Sequence, residues 1–339
     1  METGVTRLVV FAPNWLGDAV MALPAVADVR RAFPDARLVV AARRSVIRLF
    51  EAVPVVDEVL PLSGEGDVDR VRAGQFEAAL LLPNSFAVAW LARRARIPER
   101  WGYRGDGRRL LLTRAVARPS RRGHQAEYYQ GLVRGLGLAA GPIAPQIRPS
   151  DAALGRARTR LLEGGWHGET PLVGVAPGAA FGHAKRWPPG RFAAVIRDLS
   201  ASGVATVVIG SAVDLDAGRD IERALAGAML PAPCVDLIGR TSLPELFGVL
   251  ALCRAVVTND SGAMHLAAAL GVPVTAIFGP TDERVTAPLP TAQGSRAHVV
   301  LSRQVWCRPC MLRECPIDHR CMTRIRPEDV LAAVRHQLG

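Results

Sequence analysis

Short apolar runs alternate along this chain with longer segments whose apolar positions recur every three or four residues. That alternation predicts parallel sheets built from strand-helix-strand units, an α/β fold. In the first half the runs predict strands at Arg7 to Ala12, Arg37 to Ala41, Glu58 to Leu62 and Ala78 to Leu82, with helices between them. The stretch from Leu138 to Pro149 loses periodicity and is rich in Pro and Gly, so it reads as a connection. A helical stretch follows from Asp151 to Glu163. From Pro171 the strand pattern restarts at Leu172 to Ala176, Ala205 to Ile209, Val235 to Ile238, Ala255 to Thr258 and Val274 to Phe278, and the chain closes on an amphipathic segment from Pro327 to Leu338. Two doubly wound domains are expected, at residues 1–150 and 151–325, with a final helix over 326–339.

With 339 residues and 49% hydrophobic content, each half can bury a core of its own. The apolar run from Leu8 to Ala12 is stopped by Pro13 and Asn14, well short of a signal peptide. No run of about 18 apolar residues without a charge or breaker occurs, so no segment is expected to span a bilayer. The expectation is a cytoplasmic protein whose membrane contact, if it has any, is peripheral.

The formal net charge of +11 favours an acidic partner, discounted because Lys185 is the only lysine and the remaining positive charge is arginine. The densest strip, Arg93, Arg94, Arg96, Arg100, Arg104, Arg108, Arg109, Arg114, Arg118, Arg121 and Arg122, meets only Glu99 and Asp106. A polyanion would fit such a strip, and so would plain solvation of a surface.

Three predicted strands run into turns that carry chemistry. The first leads to Asn14-Trp15-Leu16-Gly17-Asp18, which sets a carboxylate at the carboxyl end of a strand, where open α/β sheets bind ligands. Asp is also a common helix cap, and that reading stands beside the functional one. Gly17 alone does not make a dinucleotide fingerprint, so oxidoreductase chemistry loses its main support. In the second half Pro177-Gly178 leads to Ala184-Lys185-Arg186-Trp187-Pro188, a glycine turn with a point charge suited to phosphate. Further on, Asn259-Asp260-Ser261-Gly262-Ala263-Met264-His265 opens an apolar helix whose amino terminus can seat a diphosphate. Each turn has an ordinary structural reading as well, and three turns able to face one cleft weigh more than any one.

These blocks, together with Leu82-Pro83-Asn84-Ser85-Phe86 and Gly102-Tyr103-Arg104-Gly105, resemble the heptosyltransferases of glycosyltransferase family 9, in particular the ADP-heptose:lipopolysaccharide heptosyltransferase II group. They occur in that group's order and span nearly the whole chain. The resemblance implies a GT-B architecture, two Rossmann-like domains facing an interdomain cleft, with acceptor held by the first and nucleotide-sugar by the second. It implies metal-independent inverting transfer of L-glycero-D-manno-heptose from ADP-heptose to the heptose of the lipopolysaccharide inner core, at the cytoplasmic face of the inner membrane. Asp18 is then the general base. Lys185 acts on the diphosphate with Gly178, Asn259, Asp260, Ser261, Gly262, Met264 and His265 on the donor side, while Asn14, Asn84, Ser85 and Arg104 line the acceptor side. The final helix is expected, by analogy with the fold, to pack back on the first domain.

Cys307, Cys310, Cys315 and Cys321, with His319, have a spacing compatible with structural zinc, though free thiols on a loop are the favoured reading. Cys234 and Cys253 lie in apolar surroundings and read as core residues. No cofactor is expected. The readings outside this one are a heptosyltransferase with another acceptor, a sugar-nucleotide epimerase on the same fold, and a non-enzymatic nucleic-acid binder. The last gives the strand-end turns nothing to do, and no nucleic-acid partner is expected.

Overall fold

The computed structural model describes residues 4–120, 123–290 and 298–339. Arg121 and Arg122 of the arginine strip lie outside the described residues. The chain divides into two compact units, one ending at Ile147 and the other beginning at Arg148. Each is built on a six-stranded parallel sheet.

In the first unit the strands are β1 (Arg7–Phe11), β2 (Arg37–Arg43), β3 (Glu58–Leu62), β4 (Ala78–Leu81), β5 (Glu99–Tyr103) and β6 (Arg114–Val116), in the order β3-β2-β1-β4-β5-β6. β1 lies in register with β2 from Arg7↔Arg37 to Phe11↔Ala41, and with β4 from Leu8↔Ala78 to Phe11↔Leu81. Strands covered on both faces lose the alternation of half-buried strands, which is why Leu8 to Phe11 and Ala78 to Leu81 are wholly apolar and buried. The chain passes from one side of β1 to the other between β3 and β4. That reversal opens a crevice beyond the carboxyl ends of β1 and β4. Asp28, fully buried, ties the unit's helices to the approaching connection: it accepts from Gln130 Nε2 at 2.8 Å and from the Gly141 amide at 2.8 Å.

The second unit repeats the plan with β7 (Leu172–Ala176), β8 (Ala205–Val208), β9 (Cys234–Asp236), β10 (Ala255–Asn259), β11 (Val274–Phe278) and β12 (Val299–Ser302), ordered β12-β11-β10-β7-β8-β9. Its reversal lies between β7 and β10, which pair from Ala255↔Val173 to Thr258↔Ala176. The helix Asp151–Glu163 starts where Ser150 accepts from the Ala153 amide at 3.2 Å, and it packs on the helix Leu243–Leu252. That crossing requires Gly248, since a Cβ there would meet the Ala153 carbonyl oxygen at 2.5 Å. Cys253 lies in this core, its thiol pushed up to about 12 by burial. In the helix Pro327–Leu338, Val330, Leu331 and Val334 are buried in the second unit, against the helix Pro189–Ala201 and the sheet, and Gln337 donates to the Val274 carbonyl. Its apolar stripe is taken up there, beside the strands that precede it in the chain.

Three strands were not foreseen: β5, β6 and β12. The arginine strip is corrected with them. Arg100 lies on β5, buried, with its guanidinium donating to the Leu111 carbonyl at 2.7 Å and the Pro98 carbonyl at 2.8 Å. Arg108 is fully buried, Arg114 stacks over Trp101 and Arg118 pairs with Asp106. The exposed members are Arg93, Arg94, Arg96, Arg104 and Arg109, with Arg118 beside them.

Candidate active site

The carboxyl ends of β1, β4 and β5 carry the first group of candidate residues. Asp18 lies in the short helix Leu16–Met21, whose cap is Trp15 and carries no side-chain cap bond. Asp18 is therefore the third residue of the first turn and not the cap. An acid in that turn suits the positive end of the helix. It is half-buried, and its charge acts on Tyr129, whose phenol is pushed above its ordinary value first by burial and then by Asp18. Tyr129 thus stays protonated beside a carboxylate.

Asn84 follows β4, where two residues fix its amide: its Nδ2 donates to the Tyr128 hydroxyl at 2.7 Å, and its Oδ1 accepts from Arg108 at 3.2 Å. Arg108 also donates to the carbonyls of Tyr103, at 2.9 Å, and Pro83. A buried guanidinium with three acceptors is a rigid brace. Burial, with the nearby Tyr128, pushes the Tyr103 hydroxyl up to about 12, and that hydroxyl donates to the Tyr128 carbonyl at 2.8 Å. Ser85 caps the helix Phe86–Arg94, accepting from the Val88 amide at 3.4 Å, so its oxygen has a structural role. Asn14 and Arg104 are exposed, with the Arg104 amide fixed on the Val116 carbonyl at 2.7 Å.

The second group surrounds the β7/β10 reversal. Lys185 closes a single turn of 3-10 helix, His183–Lys185, and its ammonium lies 2.5 Å from Asp260 Oδ2. The two side chains keep only 12% and 4% exposure. Thr281, in the turn after β11, donates its hydroxyl to the same carboxylate oxygen at 2.7 Å. The ammonium also lies 4.8 Å from the centre of the Phe181 ring, within cation–π range.

Asn259 stitches these turns together. Its Nδ2 donates to the Pro177 carbonyl at 2.7 Å and its Oδ1 accepts from the Trp187 amide at 3.1 Å, all of it buried. Gly178 is required by close approach, since a Cβ there would meet the Asp214 carboxylate at 2.3 Å. Ser261 precedes the helix Gly262–Ala269 without a side-chain cap bond; its hydroxyl lies 3.0 Å from that of Thr258. The first-turn amides of such a helix have no intrahelical acceptor. The side chains of Met264 and His265, in the helix that Ser261 precedes, are buried.

Sequence reasoning missed Thr281 and Tyr128, and it placed Arg108 only in the arginine strip, where the structure makes it a buried brace for Asn84. Thr281 was the findable one, because Gly279-Pro280-Thr281 is another strand-end turn. Among the described residues, no group of three or more His, Cys, Asp or Glu side chains could hold a metal ion. Within the cysteine cluster, Cys310 and Cys315 are exposed, Cys321 is buried, and the His319 ring is engaged by the Ala184 carbonyl at 2.6 Å.

Comparison with known proteins gives one answer. The family model for glycosyltransferase family 9 (heptosyltransferase) matches residues 68–320. The chain is 33% identical over 301 residues to lipopolysaccharide heptosyltransferase 2 of Salmonella typhimurium, covering 84% of this chain and 85% of that one. It is 32% identical over 309 residues to lipooligosaccharide heptosyltransferase 2 of Haemophilus influenzae, covering 84% and 86%. The solved structure of E. coli ADP-heptose lps heptosyltransferase II superposes with a TM-score of 0.83 at 30% identity, covering 98% of each chain.

Proposed function

The chain belongs to glycosyltransferase family 9, the heptosyltransferase family, and from that premise we propose that it moves L-glycero-D-manno-heptose from ADP-heptose onto the heptose of the lipopolysaccharide inner core. It is a glycosyltransferase of GT-B architecture. Neither a non-enzymatic nucleic-acid binder nor an epimerase fits that membership. The observation that carries the donor half is the Lys185–Asp260 pair, set beside a helix start with no side-chain cap at the β7/β10 reversal.

The chemistry follows from the residues. Displacement at a sugar carbon passes through an oxocarbenium-like state while negative charge grows on the departing diphosphate. Lys185 and the first-turn amides of Gly262–Ala269 offset that charge, in a site where Asp260 and Thr281 fix the ammonium before substrate arrives. An ammonium has three donor protons, so Lys185 can hold Asp260 with one and meet phosphate with the others. Asp18 takes the proton of the attacking acceptor hydroxyl, and Asn84, braced by Arg108 and Tyr128, positions the acceptor sugar, with Asn14 and Arg104 beside it. The protein itself supplies the positive charge that offsets the leaving group, and the transfer is metal-independent in this reading. The test is ADP release from ADP-heptose that requires a heptose-bearing core acceptor; release without acceptor, or none with it, sinks the proposal.

We further propose peripheral contact with the cytoplasmic face of the inner membrane, where a lipid-anchored acceptor resides. No helix among the described residues is long and apolar enough to cross a membrane. On the first unit, Phe86 and Trp90 stack on an exposed helix face that continues into Arg93 and Arg94, and Leu110, 90% exposed, lies on the adjoining turn with Arg109. Aromatic and leucine side chains flanked by arginine suit an anionic bilayer interface.

A further inference from the structure

The cysteine-bearing segment left unused by the reaction grips the donor turns from behind. Arg308, whose side chain is 4% exposed, donates through Nε to the Gly279 carbonyl at 2.6 Å and through Nη2 to the Thr281 carbonyl at 2.9 Å. Between those bonds, the Met311 amide donates to the Pro280 carbonyl at 3.0 Å. Three consecutive carbonyls of the turn after β11 are thus satisfied by one segment. Glu283 holds the same guanidinium at 2.6 Å.

The other end of the segment does the same for the Lys185 turn. The Ala184 amide donates to the Arg313 carbonyl at 2.9 Å, and the Ala184 carbonyl accepts from His319 Nε2 at 2.6 Å. The approach is close enough that a Cβ on Gly182 would meet the Arg313 carbonyl oxygen at 2.4 Å. The Arg313 guanidinium also lies over the Phe181 ring, 5.6 Å from the centre of the ring that Lys185 faces. One grip therefore precedes Lys185 by a single residue, and the other encloses Thr281, the second partner of Asp260.

We propose that Arg308 to His319 is a strap that sets the geometry of the Lys185–Asp260–Thr281 constellation, with Arg308 and His319 as positioning residues for the donor diphosphate. The inference rests on the donor-site reading given above. Ala184 cannot turn without losing both backbone bonds, so Lys185 stays aimed where diphosphate charge appears. Preorganised groups bind growing charge better because they need not reorient during the reaction. The bonds of the strap named above all go to turns of the second unit, which makes the effect on donor separable from any on acceptor.

The test compares full-length wild type with His319→Ala and His319→Gln, measuring kcat, the KM of ADP-heptose, the KM of acceptor, and binding of ADP by calorimetry. The Gln amide reaches the position of Nε2 and can donate to the Ala184 carbonyl. His319→Ala is expected to raise the ADP-heptose KM and weaken ADP by about three- to tenfold, the range one neutral hydrogen bond supports. Its acceptor KM should stay unchanged, and His319→Gln should lie within about twofold of wild type. Wild-type donor kinetics in His319→Ala overturn the strap, as does equal damage in both variants or an equal rise in acceptor KM. If His319→Ala does not fold, hydrogen exchange decides on the wild-type protein: ADP should slow exchange at the Ala184 and Met311 amides, and unchanged rates overturn the proposal. A wild-type enzyme that releases no ADP from ADP-heptose defeats the functional reading itself and is a different result.

Discussion

Lys185 and Asp260 stand 75 residues apart in the chain, yet the ammonium of one lies 2.5 Å from a carboxylate oxygen of the other, in the turns that follow two neighbouring strands. The pair joins stability to catalysis. Removing one member of a buried pair leaves the other charge without compensation, at a cost of roughly 3–5 kcal/mol. Lys185→Met should therefore lower the melting temperature and also weaken ADP binding and turnover. The double variant Lys185→Met/Asp260→Asn should regain most of the lost melting temperature and none of the turnover. Recovery of both in the double variant would mean that Lys185 serves folding alone.

Asp18 offers a cleaner separation. It lies in the first turn of its helix and does not cap it, so Asp18→Asn preserves shape and costs the helix little. General-base catalysis is worth about 10²- to 10⁴-fold. The variant should melt near the wild-type temperature, bind ADP-heptose normally and lose kcat by that factor. Near-normal kcat would leave the base to another residue.

Much of this was legible beforehand, for a physical reason. Strands such as β1, β4, β7 and β10 are covered on both faces, and their unbroken apolar runs mark both strand and strand end. Asp18, Lys185 and Asp260 were visible because they stand in the turns such runs expose. β5 was hidden because Arg100 and Trp101 give it the look of a polar loop, although the Arg100 guanidinium is buried among carbonyls of its own neighbourhood. β6 has three residues, and β12 is a half-buried edge strand. Tyr128, Arg108 and Arg308 owe their roles to bonds that cross many residues of chain, and local pattern carries no trace of such bonds.

Metal independence is testable by removal. After dialysis against a chelator, kcat is expected to stay within about twofold of its starting value, because Lys185 and helix amides offset the leaving-group charge. Loss of activity that magnesium restores would assign the diphosphate to a cation instead.

The proposed membrane face predicts a salt-sensitive association. Trp90→Ser with Arg93→Ser and Arg94→Ser should reduce flotation with vesicles containing anionic phospholipid and leave turnover of a soluble core acceptor unchanged. Equal flotation of variant and wild type would assign those residues to solubility alone.

Group transfer itself is tested most directly by incubating the enzyme with ADP-heptose and a heptose-bearing core acceptor and following both products by mass spectrometry, with NMR of the new linkage. The account predicts one heptosyl residue added to the acceptor for each ADP released, with inverted configuration at the anomeric carbon. Free heptose and ADP with the acceptor mass unchanged, a sugar nucleotide altered without ADP release, or retained anomeric configuration would contradict it.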